Sequence, residues 1–396
     1  MQKVVNSKFL QFLPFVFLLG PLFLEIYFFL LFLLNIKNLS LKLIEINYFK
    51  IILILFFTSI LFSSIFSDHE ISFFKGLSYL RFLIYLFVLE LVIKLNEKNL
   101  KKFCRSALIV IAVLISFNLF QVITGYNLDD ERTTLPIRLE PISGSFITYF
   151  SAYILSYILW NYSSKKMNVY TSVVSILIIL TGCLISGERI SSLVLLSMIA
   201  FFTFLKAKKI FFFILISIVI IPSFLSQYDY SRVIYIEKRI FSFKKDIRNF
   251  ENTIWGHHFY AAKESWEEKK IIGNGVRSFR IECKKFEEIK KNACSTHPHN
   301  IYLELLSELG LIGLSLFILL LINVIYKSLL YIFYNFNTKS LNLYFLIGLT
   351  LYLVINYFPI KSFGSFFNNF NSFGFWTLLY FISTISKNIK KLNNRN

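Results

Sequence analysis

Charged residues are scarce in this chain of 396 residues. Lysine, arginine, aspartate and glutamate together make up 16% of it, whereas an ordinary globular protein carries about 25%. Hydrophobic residues account for 56%, and phenylalanine alone occurs 47 times. This balance excludes an ordinary soluble domain and indicates a protein whose main solvent is lipid.

Acidic residues are the scarcer half of that small charge: 23 against 42 basic residues, which gives a net charge of +19. In a membrane protein the excess is explained by lysines that flank the spans beside anionic lipid, so we do not expect nucleic-acid binding. The chain also lacks an internal repeat and a low-complexity tract.

Long apolar runs predict an all-α, polytopic membrane protein, because a helix needs about 20 mostly apolar residues to cross a bilayer. About twelve stretches qualify: 9–20, 21–36, 49–66, 73–94, 103–124, 144–161, 167–186, 190–206, 209–226, 301–327, 340–359 and 373–387. The first two are separated only by Gly20-Pro21, so residues 9–36 form two spans or one long one. The start resembles a signal peptide but has no small-x-small cleavage site, and we expect it to be retained.

Lysines assign the sides of the membrane. With the amino terminus inside, the short cytoplasmic loops hold the lysine excess, as the positive-inside rule requires; they contain Lys37, Lys42, Lys50, Lys94, Lys98, Lys101, Lys102, Lys165, Lys166, Lys206 to Lys209, Lys327, Lys390 and Lys391. The predicted exterior segments are 67–72, 125–143, 186–189, 227–300 and 360–372. We therefore predict membrane helices in 1–226, one large, partly helical periplasmic loop in 227–300, and membrane helices with a short cytoplasmic tail in 301–396.

Cysteine is limited to four residues. Cys283 and Cys294 both fall in the large loop, where an oxidising periplasm allows a disulfide that closes a short ring. Cys104 and Cys183 fall in or beside apolar spans and are predicted to be packing residues.

The segment that joins the large loop to the next span contains His297 and His299. Thr296 is predicted to cap the following helix, with Pro298 in its first turn, which would place His299 at the helix amino terminus. The partial positive charge there keeps an imidazole neutral and able to accept a proton, and the same helix end attracts phosphate. The alternatives are two interfacial histidines satisfied by backbone or water, or a zinc site, for which no third and fourth ligand occur at a supportive spacing.

Two further pairs follow on the same predicted helix. Glu304 and Glu308 approach the apolar zone, where a carboxylate is rare unless it is functional or paired with an arginine. Gly310 and Gly313 have the spacing of small residues that permit close helix packing.

Arginines on the exterior side are candidates for binding a diphosphate, because their planar fork matches phosphate oxygens. Arg189 falls between two spans with almost no loop; the alternatives are a salt bridge to Glu188 and snorkelling to the interface. Arg277 and Arg280 follow the glycines of segment 271–280, a structural turn too short for a nucleotide-binding glycine loop.

The exterior loops hold two more sets of interest. Arg132 and Arg138 are reserve candidates for phosphate contact. His257-His258 and the amphipathic run 261–270 predict a helix lying on the membrane surface.

One pattern matches a known family. His299-Asn300, nine residues, Gly310, two residues and Gly313 fit H-[NSQ]-x9-G-x2-[GTY], and in this the chain resembles the O-antigen ligases and the wider ligase and polymerase superfamily. The many spans, the large loop before the late spans and an arginine after Ser-Gly extend the resemblance over about residues 50 to 330. One departure is His257-His258, where many relatives carry an arginine.

The resemblance implies transfer of a glycan from an undecaprenyl-diphosphate carrier to an acceptor hydroxyl at the periplasmic face of the bacterial inner membrane, without a metal or another cofactor. It implies His299 as the base, with His297 as the alternate, and Arg189 with Arg280, or else Arg277, on the diphosphate. Asn300, Glu308, Gly310 and Gly313 would support them. The acceptor is lipid A core, another glycan chain or a protein, so ligase and polymerase both stay open.

A second class of function is a carrier that moves a lipid-linked sugar or small anion. Such a protein is expected to show two related halves and a polar path at mid-membrane, whereas this chain concentrates its charge in one outer loop. A non-catalytic assembly protein is the third alternative.

Overall fold

The computed structural model describes residues 2–35, 47–93, 95–126, 128–129, 132–137, 140–225 and 249–387. Lys37, Lys42, Lys94, Arg138, residues 227–248 and the tail lysines Lys390 and Lys391 therefore lie outside the described residues. Within those ranges the chain is helical and contains no β-strand, which confirms the all-α fold class.

The described helices follow the apolar runs of the sequence. They are α1 Gln2–Leu19, α2 Pro21–Asn35, α3 Tyr48–Ile65, α4 Glu70–Tyr79, α5 Arg81–Val92, α6 Glu97–Thr124, α7 Ser143–Ser163, α8 Val169–Ile185, α9 Arg189–Lys206, α10 Lys208–Leu225, α11 Ile254–Glu268, α12 Phe279–Glu282, α13 Ile301–Asn335, α14 Leu341–Asn356 and α15 Asn369–Ser386. Each of the twelve predicted spans coincides with one of these helices, or with α4 and α5 together. Five described helical segments, in α3, α4–α5, α6, α9 and α13, are long and apolar enough to cross a membrane. The total of twelve crossings stays a prediction.

Polar residues between the apolar runs start many of the helices. Asn47, Asn96, Asn168, Ser340 and Asn368 each occupy an N-cap and accept a hydrogen bond from a backbone N–H of the first turn. Such a cap satisfies a donor that has no partner inside the helix and typically contributes about 1 kcal/mol. An asparagine or serine between two apolar runs therefore marks where the next helix begins.

The chain reverses between α1 and α2. Gly20 has a φ of 111°, a value that suits glycine, and Pro21 begins the second helix. Tyr27 of α2 donates to the Phe9 carbonyl of α1, and the two rings lie 5.7 Å apart. Residues 9–36 thus contain two helices packed side by side, with the turn at the predicted position.

The predicted exterior segments contact one another at one end of the helices. Lys269 pairs with Asp68 at 2.7 Å, Thr133 N–H donates to the Ser186 carbonyl, and Phe363 N–H donates to the His299 carbonyl. We call this the loop end, comprising the described residues of 66–72, 125–142, 186–188, 249–300 and 357–368. The opposite end, comprising 93–96, 164–168, 207 and 336–340, is called the lysine end.

An aromatic core lies between the loop end and the rest of the bundle. Phe317 of α13 packs on Phe366, and Phe375 and Trp376 of α15 contact the same ring. All four side chains are buried. The core fixes α13 and α15 against each other and supports the segment 357–368 that crosses above them.

Candidate active site at the loop end

Helix α13 is interrupted at Gly310, which has φ 65° and ψ −167°. The loop 269–275 fills the interruption. Leu311 and Ile312 donate their N–H groups to the carbonyls of Lys270 and Ile271, at 2.9 and 3.2 Å. We call residues 269–277 and 307–312 together the helix-break region.

A second pair of hydrogen bonds, in which the loop donates to α13, completes the helix-break region. Asn274 and Gly275 donate their N–H groups to the carbonyls of Ser307 and Glu308, at 3.1 and 2.8 Å. The two backbones approach so closely that a Cβ on Gly273 would lie 2.5 Å from the Glu308 backbone, and one on Gly310 would lie 2.3 Å from the Ile271 oxygen. The prediction that Gly310 permits close packing between two helices was therefore wrong. Because Gly310 has no Cβ, loop 269–275 can enter the break in helix α13. A Cβ on Gly313 would meet Leu309 of the same helix.

Two carboxylates hold this region from within. Glu308 accepts N–H groups from Arg277 at 2.6 Å and Phe279 at 3.3 Å. Glu304 accepts the Phe366 N–H at 2.6 Å and the Ser365 hydroxyl at 2.5 Å. Both glutamates are buried, and their hydrogen-bond partners are backbone and hydroxyl groups rather than the guanidinium considered as an alternative, although Arg280 acts on both carboxylates electrostatically.

The helix start also differs from the expectation. Helix α13 begins at Ile301 with Asn300 as its cap, whose side chain accepts the N–H groups of Tyr302 and Leu303. The prediction that Thr296 caps this helix was wrong, and His299 lies before its first turn, with a φ of 57°. An asparagine can accept those donors while its amide group donates elsewhere, here to the Pro359 carbonyl at 2.6 Å. This double use explains why the cap falls at Asn300.

Three imidazoles meet beside this helix end. The ring centroids of His297 and His299 lie 4.1 Å apart, and those of His258 and His299 lie 5.2 Å apart. His258 is 4% exposed and comes from α11, whose buried face also includes Ala261, Ala262 and Ser265. We call these three residues the histidine cluster. Helix α11 was predicted, but its histidine was expected on a surface helix rather than against His299.

Burial keeps the histidine cluster neutral. Desolvation lowers the pKa of His299 to about 4, with a smaller effect from His258. It lowers the pKa of His297 to about 3, with help from the charges of His299, His258 and Arg280. The pKa of His258 is also lowered by burial. A neutral imidazole retains a lone pair for a proton, which is the property required of a general base.

Arg280 lies next to the histidine cluster. One of its terminal nitrogens donates to the Thr296 carbonyl at 3.4 Å, while its buried Nε has no hydrogen-bond partner within the described residues. The same is true of Nδ1 of His258. Unpartnered buried donors are costly unless a ligand or water engages them, so these nitrogens are candidates for ligand contact.

A disulfide fixes Arg280 beside the histidines. Cys283 and Cys294 are bonded, with 4.7 Å between their Cα atoms. The bond joins the short turn after α12 to the irregular segment that leads into His297. Cys104 and Cys183 are free and buried among the helices, where packing residues were expected.

Arg277 has a different environment from Arg280. Its φ is 61°, its N–H is bound by Glu308, and its guanidinium donates to the Phe367 carbonyl at 3.0 Å. Burial lowers the pKa of Arg277, and Arg280 nearby lowers it further. The residue is therefore committed to the helix-break region, which favours Arg280 as the arginine for a ligand.

Arg189 begins helix α9 and is exposed, and the residue before it is firmly anchored. Glu188 accepts the N–H groups of Gly144 at 2.6 Å and Ser145 at 3.2 Å, and the hydroxyls of Ser145 and Ser191 at 2.6 and 2.8 Å. Burial raises the pKa of Glu188, and these donors oppose the rise. The Glu188 carboxylate thus ties the α8–α9 turn to the start of α7 and fixes the position from which Arg189 projects.

Lys361 connects the two arginine-bearing parts, and sequence reasoning missed it. Its carbonyl is within 3.5 Å of the Asn300 side-chain amide, and its ammonium group interacts electrostatically with Glu188. Burial lowers the pKa of Lys361 to about 7, and Glu188 opposes that change. A lone lysine in a short loop between two apolar helices was the available signal.

The reserve arginine Arg132 lies near the same turn. It pairs with Asp129 at 3.7 Å, and the next residue, Thr133, donates its N–H to the Ser186 carbonyl. Among the residues that the structure describes, no group of three or more histidine, cysteine, aspartate or glutamate side chains is placed to hold a metal ion.

The comparison with family models bears directly on this arrangement. Residues 174–318 match the model of the Wzy_C family, described as O-antigen ligase. These residues are similar to an O-antigen ligase domain. The resemblance drawn from the sequence is thereby confirmed over these residues, and the match supports, at a coarse level, a glycan-transferring membrane enzyme. No curated protein matches the chain.

The residues matched by the family model contain most of the candidate site. They include Arg189, Arg280, the histidine cluster and the helix-break region, whereas Lys361 lies beyond the last matched residue. Sequence reasoning proposed the arginines, His297 and His299 as site residues, and their roles stay a prediction. It missed His258 as their neighbour and Lys361 as the link between the two parts.

Proposed function

We propose that this chain transfers a glycan from an undecaprenyl-diphosphate carrier to an acceptor hydroxyl, as an O-antigen ligase does, at the periplasmic face of the bacterial inner membrane. In this proposal the loop end faces the periplasm, and the large loop 227–300 covers the reacting groups. The observation that carries it is the neutral histidine cluster beside Arg280, at the helix start that bears the family pattern.

The proposed reaction is a displacement at the anomeric carbon of the donor sugar. The acceptor oxygen forms a bond to that carbon while the bond from the carbon to the diphosphate oxygen breaks, and the bonding electrons leave with the diphosphate. The acceptor's proton passes to His299, which is neutral because burial lowers its pKa to about 4. His299 later releases the proton to water.

The leaving diphosphate needs fixed positive charge, since negative charge develops on it in the transition state. Arg280 offers an Nε with no partner in the described part of the chain, and it adjoins the histidines. Arg189 and Lys361 are the second source of charge, and Glu188 holds the turn that precedes Arg189. Asn300 supports the site by capping α13 and holding the segment 359–361.

A polymerase of the same superfamily fits the family match equally well, because the acceptor would then be another lipid-linked glycan. The two reactions share the donor, the leaving group and the base. They differ in the precursor that accumulates when transfer stops: long lipid-linked chains for a ligase, single units for a polymerase.

The test replaces His299 with asparagine, which adopts a positive φ readily and removes the imidazole. The variant is expressed in the native host, and surface glycan and lipid-linked precursor are compared on gels. We expect mature glycan to disappear and precursor to accumulate at a normal membrane level of the protein. The matched control is His257→Asn, since His257 bonds the Lys291 carbonyl at 2.7 Å and lies outside the histidine cluster. An unchanged glycan pattern in His299→Asn would show that the base is another group.

A further inference from the structure

A second charged site lies at the lysine end, away from the proposed reaction. A cavity of about 610 Å³ opens there between the end of α7, the start of α8, the end of α9 and the loop that follows α13. Its lining includes Tyr162, Lys165, Lys166, Asn168, Lys206 and Lys339. We call it the lysine pocket.

The charge of the lysine pocket is not balanced by the protein. Four lysines line it, none of its lining residues is acidic, and none of the four forms an ion pair with a carboxylate of the described residues. Like charges that share a cavity repel one another and raise the local concentration of anions. The pocket is therefore built to hold a negatively charged group.

Two of the lysines are held in place by aromatic rings. Nζ of Lys166 lies 4.5 Å from the ring centre of Trp160, whose indole N–H donates to the Lys339 carbonyl at 3.0 Å. Nζ of Lys206 lies 3.7 Å from the ring centre of Phe336 and donates to that residue's carbonyl. Positioned cations lose less conformational freedom when a ligand binds, so the arrangement resembles a site more than a set of mobile surface lysines.

The surroundings indicate that the anion belongs to a lipid. Tyr170 of α8, Tyr334 of α13 and Phe336, which follows α13, are exposed near the pocket, and the exposed surface of the two helices is mainly apolar. Exposed aromatic rings beside basic residues are typical of the membrane–water interface. A basic pocket between helix ends at that level suits a phosphate headgroup whose acyl chains lie along the helices.

We propose that the lysine pocket binds the phosphodiester headgroup of an anionic membrane lipid. The proposal does not depend on the transfer reaction, since it uses residues at the opposite end of the helices. It assigns a function to lysines whose excess on this side was otherwise explained only by topology. A free phosphate shares the chemistry, and the experiment separates the two sources.

The experiment titrates the purified full chain in neutral detergent with phosphatidylglycerol and, separately, with phosphatidylcholine, and counts bound lipids by native mass spectrometry. We expect saturable binding of phosphatidylglycerol and much weaker binding of phosphatidylcholine. In the triple variant Lys165→Gln, Lys166→Gln, Lys339→Gln the affinity for phosphatidylglycerol should fall about 100-fold, since each lysine near an anionic headgroup contributes a factor of roughly five. Lys206 is left unchanged because it also binds the Phe336 carbonyl.

The control removes the same charge elsewhere at this end. Lys98, Lys102 and Arg105 lie on α6 and do not line the pocket, so their replacement by glutamine should change the affinity less than about fivefold. Equal losses in the two triple variants, or none in the pocket variant, would overturn the proposal. Competition by inorganic phosphate at concentrations matching the lipid would also overturn it, because the ligand would then be a soluble anion. Thermal unfolding in lipid-free detergent checks that both variants are folded.

Discussion

The helix-break region and the histidine cluster are neighbours at the loop end, yet they differ in how completely their polar groups are hydrogen-bonded. In the helix-break region the polar groups that join the loop to α13 are hydrogen-bonded. Loop carbonyls accept the N–H groups of Leu311 and Ile312, and the Glu308 carboxylate accepts two further backbone N–H groups. Around the histidine cluster, by contrast, Nδ1 of His258 and Nε of Arg280 lack partners within the described residues.

This difference indicates that the helix-break region supports the fold and that the histidine cluster takes part in the reaction. A fully paired backbone network has little to offer a ligand, but it is rigid and places Arg277, Phe279 and α12 in one position. Buried nitrogens that have no hydrogen-bond partner among the described residues can form such bonds with a ligand. Changes in the helix-break region should therefore remove the fold, and changes around the histidine cluster should remove activity from a folded protein.

The largest effect is expected for Gly310→Ala, which tests the first half of that statement. The added Cβ would lie 2.3 Å from the Ile271 oxygen, and the backbone angles φ 65°, ψ −167° suit glycine almost exclusively. We expect a loss of more than about 3 kcal/mol of stability, seen as low membrane expression and a lowered Tm.

The matched control is Gly125→Ala. Gly125 ends α6 with a φ of 72°, but a Cβ there would meet nothing within 4 Å. Only the conformational cost of about 1 kcal/mol remains. Equal stability of the two variants would mean that the close approach of the two backbones does not support the fold.

The helix-break region also shows where prediction from sequence stops. The spans were predictable because each apolar run forms its own helix, whatever its neighbours do. The break at Gly310 needs loop 269–275, which is about 40 residues away in sequence. The family pattern singled out Gly310 and Gly313, but a spacing of three cannot tell a helix-packing face from a broken helix.

The candidate site divides in the same way. His299, His297 and the arginines were identified because their residue types suit the chemistry and their positions follow from the topology. His258 and Lys361 were missed as members of the site because only the fold brings α11 and the segment 357–368 to the start of α13. The cap was misplaced by four residues, since Thr296 and Asn300 are both good caps and the sequence alone does not rank them.

Arg280→Gln tests the second half of the comparison. Loss of a fixed cation beside the leaving diphosphate should lower the transfer rate about 100-fold to 1000-fold. The Tm should fall only a little, since the side chain makes a single long hydrogen bond and otherwise interacts electrostatically with Glu304 and Glu308. Arg280→Lys should recover part of the rate, since the charge returns without the planar fork. The measurement is transfer by the purified chain in vesicles, with Arg105→Gln as the control, since Arg105 is an exposed residue of α6 outside the candidate site. A Tm drop that accounts for the lost activity would place Arg280 with the helix-break region.

The double variant Cys283→Ser, Cys294→Ser should have a smaller effect on transfer, and its structural effect should be confined to the surroundings of the histidine cluster. Opening the ring costs about 3 kcal/mol in the chain-entropy description. Because the bond joins the turn after α12 to the segment before His297, limited proteolysis should cut between residues 283 and 294 sooner. Hydrogen exchange at Leu311 and Ile312 should not change, since their bonds lie within the helix-break region. Faster exchange there would show that the two regions depend on each other.

The smallest effects are shifts in the pH profile of transfer, and they test whether the histidine cluster acts as proposed. His299 must be neutral to accept a proton, and its pKa is lowered to about 4, so the rate should fall only as the pH drops through about 4 rather than near 6.5. Lys361 must be charged to bind the diphosphate, and its pKa is lowered to about 7, so the rate should fall again as the pH rises through about 7. The profile is therefore a bell between those two values.

Lys361→Arg isolates the basic limb of that bell. Arginine stays protonated throughout the range, so the variant should keep its rate above pH 7 while the acidic limb remains in place. The rates are measured in vesicles with one lipid-linked donor, and His257→Asn serves as the control because its imidazole bonds the Lys291 carbonyl outside the cluster. A basic limb that persists in Lys361→Arg would assign it to another group and leave Arg189 and Arg280 as the cations of the site. An acidic limb near pH 6.5 in the wild type would mean that the base is a solvated histidine. The buried histidine cluster would then not be the catalytic part of the loop end, and the contrast with the helix-break region would concern stability alone.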